Sequence, residues 1–214
     1  MIQNTISTET ARQIYDRLGA YYDWAERFES RAKARAMDLL DVSAGQRVLN
    51  VGVGTGKEHN QLQAAVGSKG IVVGIDISPV MLDLTKARTG APVCQADARN
   101  LPFAKASFDG LFCSYVLDLI PSRDLPAILV EFRRILTPKG HMALVTLTEG
   151  VTLPSRILMA IWKRLYAVSP IALGGCRPIH VANLVRDAGF TLLSKEVVVQ
   201  LGMPSEVLLA LCQD

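Results

Sequence analysis

Three glycines in five residues, Gly52, Gly54 and Gly56, stand between the apolar run Arg47–Val51 and a polar segment of helical character that begins near Lys57. Glycines at that density let the backbone turn tightly, approach a ligand closely and leave amides unpaired at the start of the next helix. A second apolar run, Ile71–Ile75, is followed at once by an acid, Asp76. A strand, a glycine turn and a helix, then a strand ending in a carboxylate, form a seat for a nucleoside-containing cofactor at the strand tips.

The pattern repeats along the chain. Pro92–Gln95, Gly110–Ser114 and His141–Leu147 are further short apolar or β-branched runs, and Leu82–Arg88 and Leu125–Leu136 carry helical spacing between them. Such alternation predicts parallel β-α units with right-handed crossovers. Half of the 214 residues are hydrophobic, which suits a parallel sheet buried on both faces. Residues 8–40 read as helical, with Ser7 or Thr8 as N-cap and a break at Gly19. Phe190–Gln200 and Glu206–Leu211, joined through Gly202-Met203-Pro204, read as two closing strands that can pair antiparallel. No linker or repeat interrupts residues 1–214, so one domain is expected.

Spacing narrows the cofactor. A dinucleotide fingerprint needs a third glycine where Lys57 stands, and a Walker loop needs Ser or Thr where Glu58 stands. The remaining pattern, Asn50-Val51-Gly52-Val53-Gly54-Thr55-Gly56 after a strand, resembles motif I of the class I S-adenosylmethionine-dependent methyltransferases. Gly74-Ile75-Asp76-Ile77-Ser78-Pro79-Val80-Met81-Leu82 is similar to that family's second motif, and Cys94-Gln95-Ala96-Asp97-Ala98, Leu101-Pro102-Phe103 and Ser107-Phe108-Asp109 to its third and fourth segments. Leu136-Thr137-Pro138-Lys139-Gly140-His141 resembles the turn before its fifth strand, and Tyr15-Asp16-Arg17-Leu18 with Tyr21-Tyr22-Asp23 its N-terminal lid. The nearest likeness is to the small-molecule branch with ubiquinone, menaquinone and phospholipid methyltransferases.

The resemblance implies an α/β fold: a Rossmann-like, doubly wound, mostly parallel seven-stranded sheet with an antiparallel C-terminal hairpin. It implies that Asp76 holds both ribose hydroxyls, a task for which a carboxylate has the acceptors. Ile77 and Met81 then pack near the adenosine, Asp97 with Ala98 lies at the adenine, and Ser114 ends the strand above the sulfonium. Gly52, Gly54 and Gly56 run beneath the methionyl part, and Tyr15 and Tyr22 fold over the cofactor from a lid formed by residues 1–40. Asn50 departs from the family, whose members usually carry Asp or Glu there, a carboxylate that helps hold the cofactor's amino group. Asparagine keeps an acceptor but no charge, so an Asn50→Asp variant is expected to bind S-adenosylhomocysteine more tightly.

The chemistry implied is in-line transfer of a methyl group to a small, apolar acceptor such as a quinone precursor, lipid or secondary metabolite. The alternative is a protein that binds the cofactor without transferring anything. Methyl transfer depends mainly on alignment and exclusion of water, so no obligatory base is legible. Tyr115 and His180 are the catalytic candidates. Tyr115, Asp118, Arg177 and His180 are the substrate-binding candidates, with ring packing, turn capping, a solvated loop charge and capping of a helix at 181–188 as their plain structural readings. His59 and His141 read as structural.

The net charge of +3, with no long basic run, gives no case for nucleic-acid binding. Cys94, Cys113, Cys176 and Cys212 have no zinc or disulfide spacing, so reduced thiols, no metal and a cytoplasmic setting are expected. Met1-Ile2-Gln3-Asn4 begins no signal segment. In residues 151–180, an expected substrate-cap insertion, Leu153, Ile157, Leu158, Ile161 and Leu165 form an apolar stripe beside Arg156, Lys163 and Arg164. A cap over the pocket, a peripheral contact with lipid, and a core-facing helix with a basic outer side all fit this stripe.

Overall fold

A computed structural model describes residues 5–24 and 26–213; the polar start Met1-Ile2-Gln3-Asn4 lies outside the described residues. Ser7 caps the first helix, α1 (Thr8–Leu18), by accepting from Thr10 N at 3.0 Å. Gly19 then breaks the helix at φ 46°, and a 3-10 turn (Gly19–Trp24) leads to α2 (Glu26–Leu40). The repeating units follow as β1 (Arg47–Val51), α3 (Lys57–Val66), β2 (Ile71–Asp76), α4 (Pro79–Thr89), β3 (Val93–Gln95), β4 (Phe108–Ser114), α5 (Leu125–Ile135) and β5 (Leu136–Leu147). The chain ends with α6 (Leu153–Val168), α7 (Ala182–Asp187), β6 (Phe190–Gln200) and β7 (Met203–Cys212).

The strands form one seven-stranded sheet in the order β3-β2-β1-β4-β5-β7-β6. β1 to β5 pair in parallel, whereas β7 runs antiparallel between β5 and β6. The expected doubly wound sheet and C-terminal hairpin are therefore both present. Alternate residues along each strand serve opposite faces. Leu49, Leu111 and Leu144 pack with Ile128, Leu129 and Phe132 of α5, while Val48, Val72 and Phe112 pack with Ala32 and Ala36 of α2 and Leu62 of α3.

Several boundaries shift from the sequence reading, and those of β5 and β7 have a clear cause. β5 starts at Leu136 rather than His141, because Leu136 already pairs with Phe108; Gly110 pairs next with His141, so Thr137–Gly140 bulge out with Lys139 at φ 65°. β7 starts at Met203, since the hairpin turns on Leu201-Gly202 and Met203 and Pro204 already pair with Gln200 and Val199. The core-facing reading of the 153–165 stripe is overturned. α6 buries Ser155, Met159 and Tyr166, half-buries Leu158, and leaves Leu153, Ile157, Ile161 and Leu165 exposed. No helix among the described residues is long and apolar enough to cross a membrane.

Winding outward from the middle of the sheet forces the turns after β1 and β4 into contact. Gly52 has φ 71°, and a Cβ there would lie 2.2 Å from Val116 Cγ2. Gly52→Ala is expected to destabilise the protein by about 1–3 kcal/mol, combining left-handed strain with the clash. Gly110→Ala, with its nearest neighbour at 3.5 Å and no positive φ, is the control and is expected to be neutral or mildly stabilising. Urea midpoints at unchanged slope measure both.

Candidate functional site

A cleft opens at the carboxyl ends of β1, β2 and β4, where the sheet winds toward β2 on one side and β4 on the other. Counted out to its open mouth it encloses about 990 Å³, ample for a nucleoside-sized ligand. The glycine turn is its floor. Gly52 N and Val53 N both donate to Ile75 O, at 2.8 and 3.1 Å, which folds the turn back across β2.

Asp76 locks this floor in place. Its carboxylate accepts from Gly54 N at 3.1 Å through Oδ2 and from Ser78 N at 2.9 Å through Oδ1. Burial pushes the carboxyl up to about 6 against the pull of those amides. Ser78 caps α4 by accepting from Met81 N at 3.1 Å and donates its own hydroxyl to Asp16 of α1 at 2.6 Å. Ile77 and Met81 lie on the wall beside Asp76.

The N-terminal elements close one side with Thr8, Ala11, Tyr15 and Tyr22. The two tyrosine rings meet edge to face, 5.6 Å between centroids. Asp23 fastens this side to the floor by accepting from Thr55 Oγ1 at 2.5 Å and from Arg88 Nη2 at 3.0 Å. Opposite, Asp97 and Ala98 reach the wall as expected, but Asp97 is held by Arg99, whose Nη2 stands 2.5 Å from Asp97 Oδ2. Burial alone would raise the Asp97 carboxyl; the Arg99 guanidinium outweighs it and leaves the group below its ordinary range.

At the methionyl end expected from the resemblance lie two charged groups that sequence reasoning missed, Lys33 and Glu58. Lys33 is 4% exposed, its Nζ 2.9 Å from Glu29 Oε2 and 3.4 Å from Glu58 Oε1. Tyr22 donates its hydroxyl to Glu29 Oε2 at 3.2 Å, and Lys33 Nζ sits 5.6 Å from the Tyr22 ring centroid and 5.8 Å from that of Tyr115. The available signals were the i,i+4 spacing of Glu29 and Lys33 and the place of Glu58 just past the glycines.

Ser114 and Tyr115 reach the wall from the tip of β4. Tyr115 has φ 54°, and its hydroxyl is 2.6 Å from Ser205 Oγ. Burial pushes that hydroxyl far above its ordinary value, so Tyr115 shows the cleft a ring and not a base.

Five other expected site residues lie off the wall. Gly56 is packing: a Cβ there would meet Thr85 Cα of α4 at 2.9 Å. Asn50 shares its face of β1 with Val48 and points at α3, its amide nitrogen 3.4 Å from His59 Nδ1. Burial lowers His59 to about 4, so the ring is neutral near pH 7 and accepts this bond. A carboxylate at position 50 would face that imidazole rather than the cleft, which removes the geometric basis for tighter binding by Asn50→Asp.

Asp118 was expected in the crevice but is fully buried, and its Oδ2 accepts from Leu147 N at 2.7 Å. Arg177 was expected to grip substrate; it is 1% exposed and donates through Nη2 to Ile120 O at 2.5 Å and Ser122 Oγ at 3.1 Å. Both brace the segment after β4. His180 is exposed beside Thr148 Oγ1 at 3.5 Å, and α7 starts without a side-chain cap, so it neither lines the cleft nor caps that helix. α6 contributes no residue to the wall either, so the cap expected over the pocket is absent from it.

A family model described as "Methyltransferase domain" matches residues 48–140, from β1 to the bulge of β5. The chain is 32% identical over 177 residues to the demethylmenaquinone methyltransferase of Staphylococcus aureus (strain MRSA252), covering 78% of this chain and 70% of that one. It is 31% identical over 161 residues to the O-methyltransferase resE of Aspergillus sclerotiorum, covering 72% of this chain and 58% of that relative. The crystal structure of N-methyltransferase NodS from Bradyrhizobium japonicum WM9, in complex with S-adenosylhomocysteine, shares the fold at a TM-score of 0.72 and 15% identity, covering 96% of this chain and 100% of that one. By relationship and by fold, this chain belongs to the class I S-adenosylmethionine-dependent methyltransferases, and S-adenosylmethionine is its cofactor.

Proposed function

We propose that this chain methylates a small, largely apolar acceptor of the hydroquinone or phenol kind. The observation that carries the reading is the division of the cleft wall. One part is polar and charged, with Asp76, Glu58 and Lys33 around the glycine floor; another is apolar, with Ala11, Val116, Leu119, Ile120 and Pro121. The name of one relative, a demethylmenaquinone methyltransferase, supports the same acceptor class, and that of another, an O-methyltransferase, supports an oxygen acceptor.

The cofactor supplies an activated methyl group when bound. Asp76 accepts the ribose hydroxyls with the lone pairs that Gly54 and Ser78 leave over. Asp97 and Ala98 border the adenine. Glu58 would hold the ammonium and Lys33 the carboxylate of the amino-acid end, so the charges for that end come from α3 and α2 rather than from position 50. Tyr15 and Tyr22 cover the bound pair and exclude water, which strengthens these polar contacts. Neither histidine nor cysteine is among the wall residues and the Tyr115 hydroxyl is committed to Ser205. The wall carboxylates Asp76, Asp97 and Glu58 are engaged by backbone amides, Arg99 and Lys33, so the chain aligns an acceptor that is already nucleophilic, such as an enolate or phenolate, rather than deprotonating it.

Turnover of labelled S-adenosylmethionine with demethylmenaquinone analogues kept in the reduced, hydroquinone form, simple phenols and amines tests the reading. Methylation confined to amines would overturn the acceptor class. Lys33→Met is expected to weaken S-adenosylhomocysteine binding at least tenfold while leaving methylthioadenosine, which lacks the amino-acid end, within about twofold, since one lost charge-assisted contact is worth roughly that factor. Equal losses for both ligands would make Lys33 purely structural.

The pH dependence of binding follows from Asp76. With its carboxyl at about 6 in the folded protein, against an ordinary value of 3.8, the ionised form needed by the ribose is depleted in acid. S-adenosylhomocysteine affinity is therefore expected to rise between pH 5 and about 7 and then level. Stability of the ligand-free protein has the opposite sign for this group: its contribution is full below pH 3.8 and lost as pH rises through about 6. Calorimetric titrations across this window check the first trend, and flat affinity would remove Asp76 from the ribose.

A further inference from the structure

Among the described residues fifteen large apolar side chains are exposed, and seven of them, Val151, Leu153, Ile157, Ile161, Leu165, Val168 and Ile171, fall within one stretch of twenty-one residues. Four stand at every fourth position along the outer face of α6, exposed by 72% at Leu153, 54% at Ile157, 50% at Ile161 and 52% at Leu165. Single exposed hydrophobics need no explanation, but a contiguous row along a helix marks a contact surface. The row is not a product of loose packing. The opposite face of α6 is anchored by Tyr166, whose hydroxyl donates to Gly175 O at 3.3 Å, and by Trp162, whose Nε1 donates to Cys176 O at 2.9 Å.

The charge beside the row has one sign. Between Glu149 and Asp187 the chain contains no acid, while Arg156, Lys163 and Arg164 all lie on α6. Lys163 pairs with Glu149 at 2.9 Å, whereas Arg164, set among the exposed aliphatic residues, makes no ion pair among the described residues. A second copy of this chain is a poor match, because antiparallel two-fold pairing of α6 about its middle would set Arg156 of each copy against Arg164 of the other, like charge against like. An aliphatic row with Arg164 set into it and Arg156 at its flank, on a helix lying flat against the body, matches an anionic lipid surface: apolar side chains enter the acyl boundary and guanidinium groups rise to the headgroups.

We infer that the outer face of α6 docks this protein on anionic membranes. The surface connects to the cleft through one packed layer. The 174–176 segment that α6 holds also touches Tyr15, whose hydroxyl is 3.8 Å from Cys176 Sγ, and a Cβ on Gly175 would meet Ile6 at 2.3 Å and Leu119 at 3.5 Å. Tyr15 and Leu119 both line the cleft. Docking through α6 therefore brings the cleft close to the bilayer, where an apolar acceptor is concentrated. The docking itself does not depend on which acceptor is used.

The test is flotation of the full chain with vesicles of phosphatidylcholine alone or mixed with phosphatidylglycerol. Binding to the anionic vesicles is expected to exceed binding to the neutral ones at least tenfold and to fall in high salt. The double variant Ile157→Glu/Ile161→Glu should lose at least tenfold, and Arg156→Gln/Arg164→Gln several-fold, with S-adenosylhomocysteine affinity unchanged in both as proof of folding. Wild-type protein that stays unbound, or the glutamate variant floating as well as wild type, would overturn the inference. So would a dimer in sedimentation without lipid that Ile161→Glu dissociates, because a second copy would then cover the face. Ligand titration reads the cleft without vesicles, so a failure here leaves the methyltransferase reading standing.

Discussion

The Asp76 carboxylate joins three parts of the molecule that are far apart in sequence. One oxygen takes the Gly54 amide of the glycine turn and the other takes the Ser78 amide at the head of α4. Ser78 in turn binds Asp16, which ties α1 to the same point. A buried carboxylate is costly unless its lone pairs are used, and two backbone amides from two turns use them here. The arrangement fixes the width of the cleft floor before any ligand arrives, which is the preorganisation a binding site needs. The rise of the carboxyl to about 6 shows how nearly balanced the arrangement is without a ligand; two further donors from a ribose would favour the ionised form.

The framework around this joint was legible because it depends on local sequence. Parallel strands buried on both faces read as unbroken apolar runs, and positive φ at Gly52, Gly54 and Gly56 is a demand that glycine meets without strain. What escaped depends on pairing between distant segments. The early start of β5 follows from Leu136 meeting Phe108, which no window around residue 136 contains. Asp118 and Arg177 carry the residue types of a substrate site and lie near its mouth in the chain, yet both turn inward to hold Leu147 N, Ile120 O and Ser122. Polarity and loop position do not distinguish a group that binds a ligand from one that braces the loop beside it.

Lys33 shows the converse. On an amphipathic helix a lysine four residues after a glutamate reads as a solvated surface pair, worth a few tenths of a kcal/mol. Burial beneath Tyr22 and Tyr115 changes its meaning, since a buried ion pair gains little net stability over an apolar substitute. Glu58 and Lys33 share the end of the cleft, with Glu29 behind them on Lys33, so the cluster offers one charge of each sign to the cleft and not only an ion pair to the fold. Asn50, in the place of the family's usual acid, faces His59, while Glu58 lies on the cleft wall.

The orientation of α6 follows from the same rules of burial. The helix has an aliphatic row and an aromatic row, and helical periodicity gives no preference between them. Hydrogen bonding does. Trp162 and Tyr166 carry polar atoms that need partners when buried, and the carbonyls of Cys176 and Gly175 provide them. The aliphatic residues have no polar atom to satisfy, so turning them outward costs only the transfer of apolar area to water, about 25 cal/mol per Å². That cost is recovered wherever the surface meets an apolar phase. Anchoring the aromatic row to the loop that abuts Tyr15 and Leu119 thus fixes which side of the protein carries its exposed aliphatic surface, and places that surface beside the cleft.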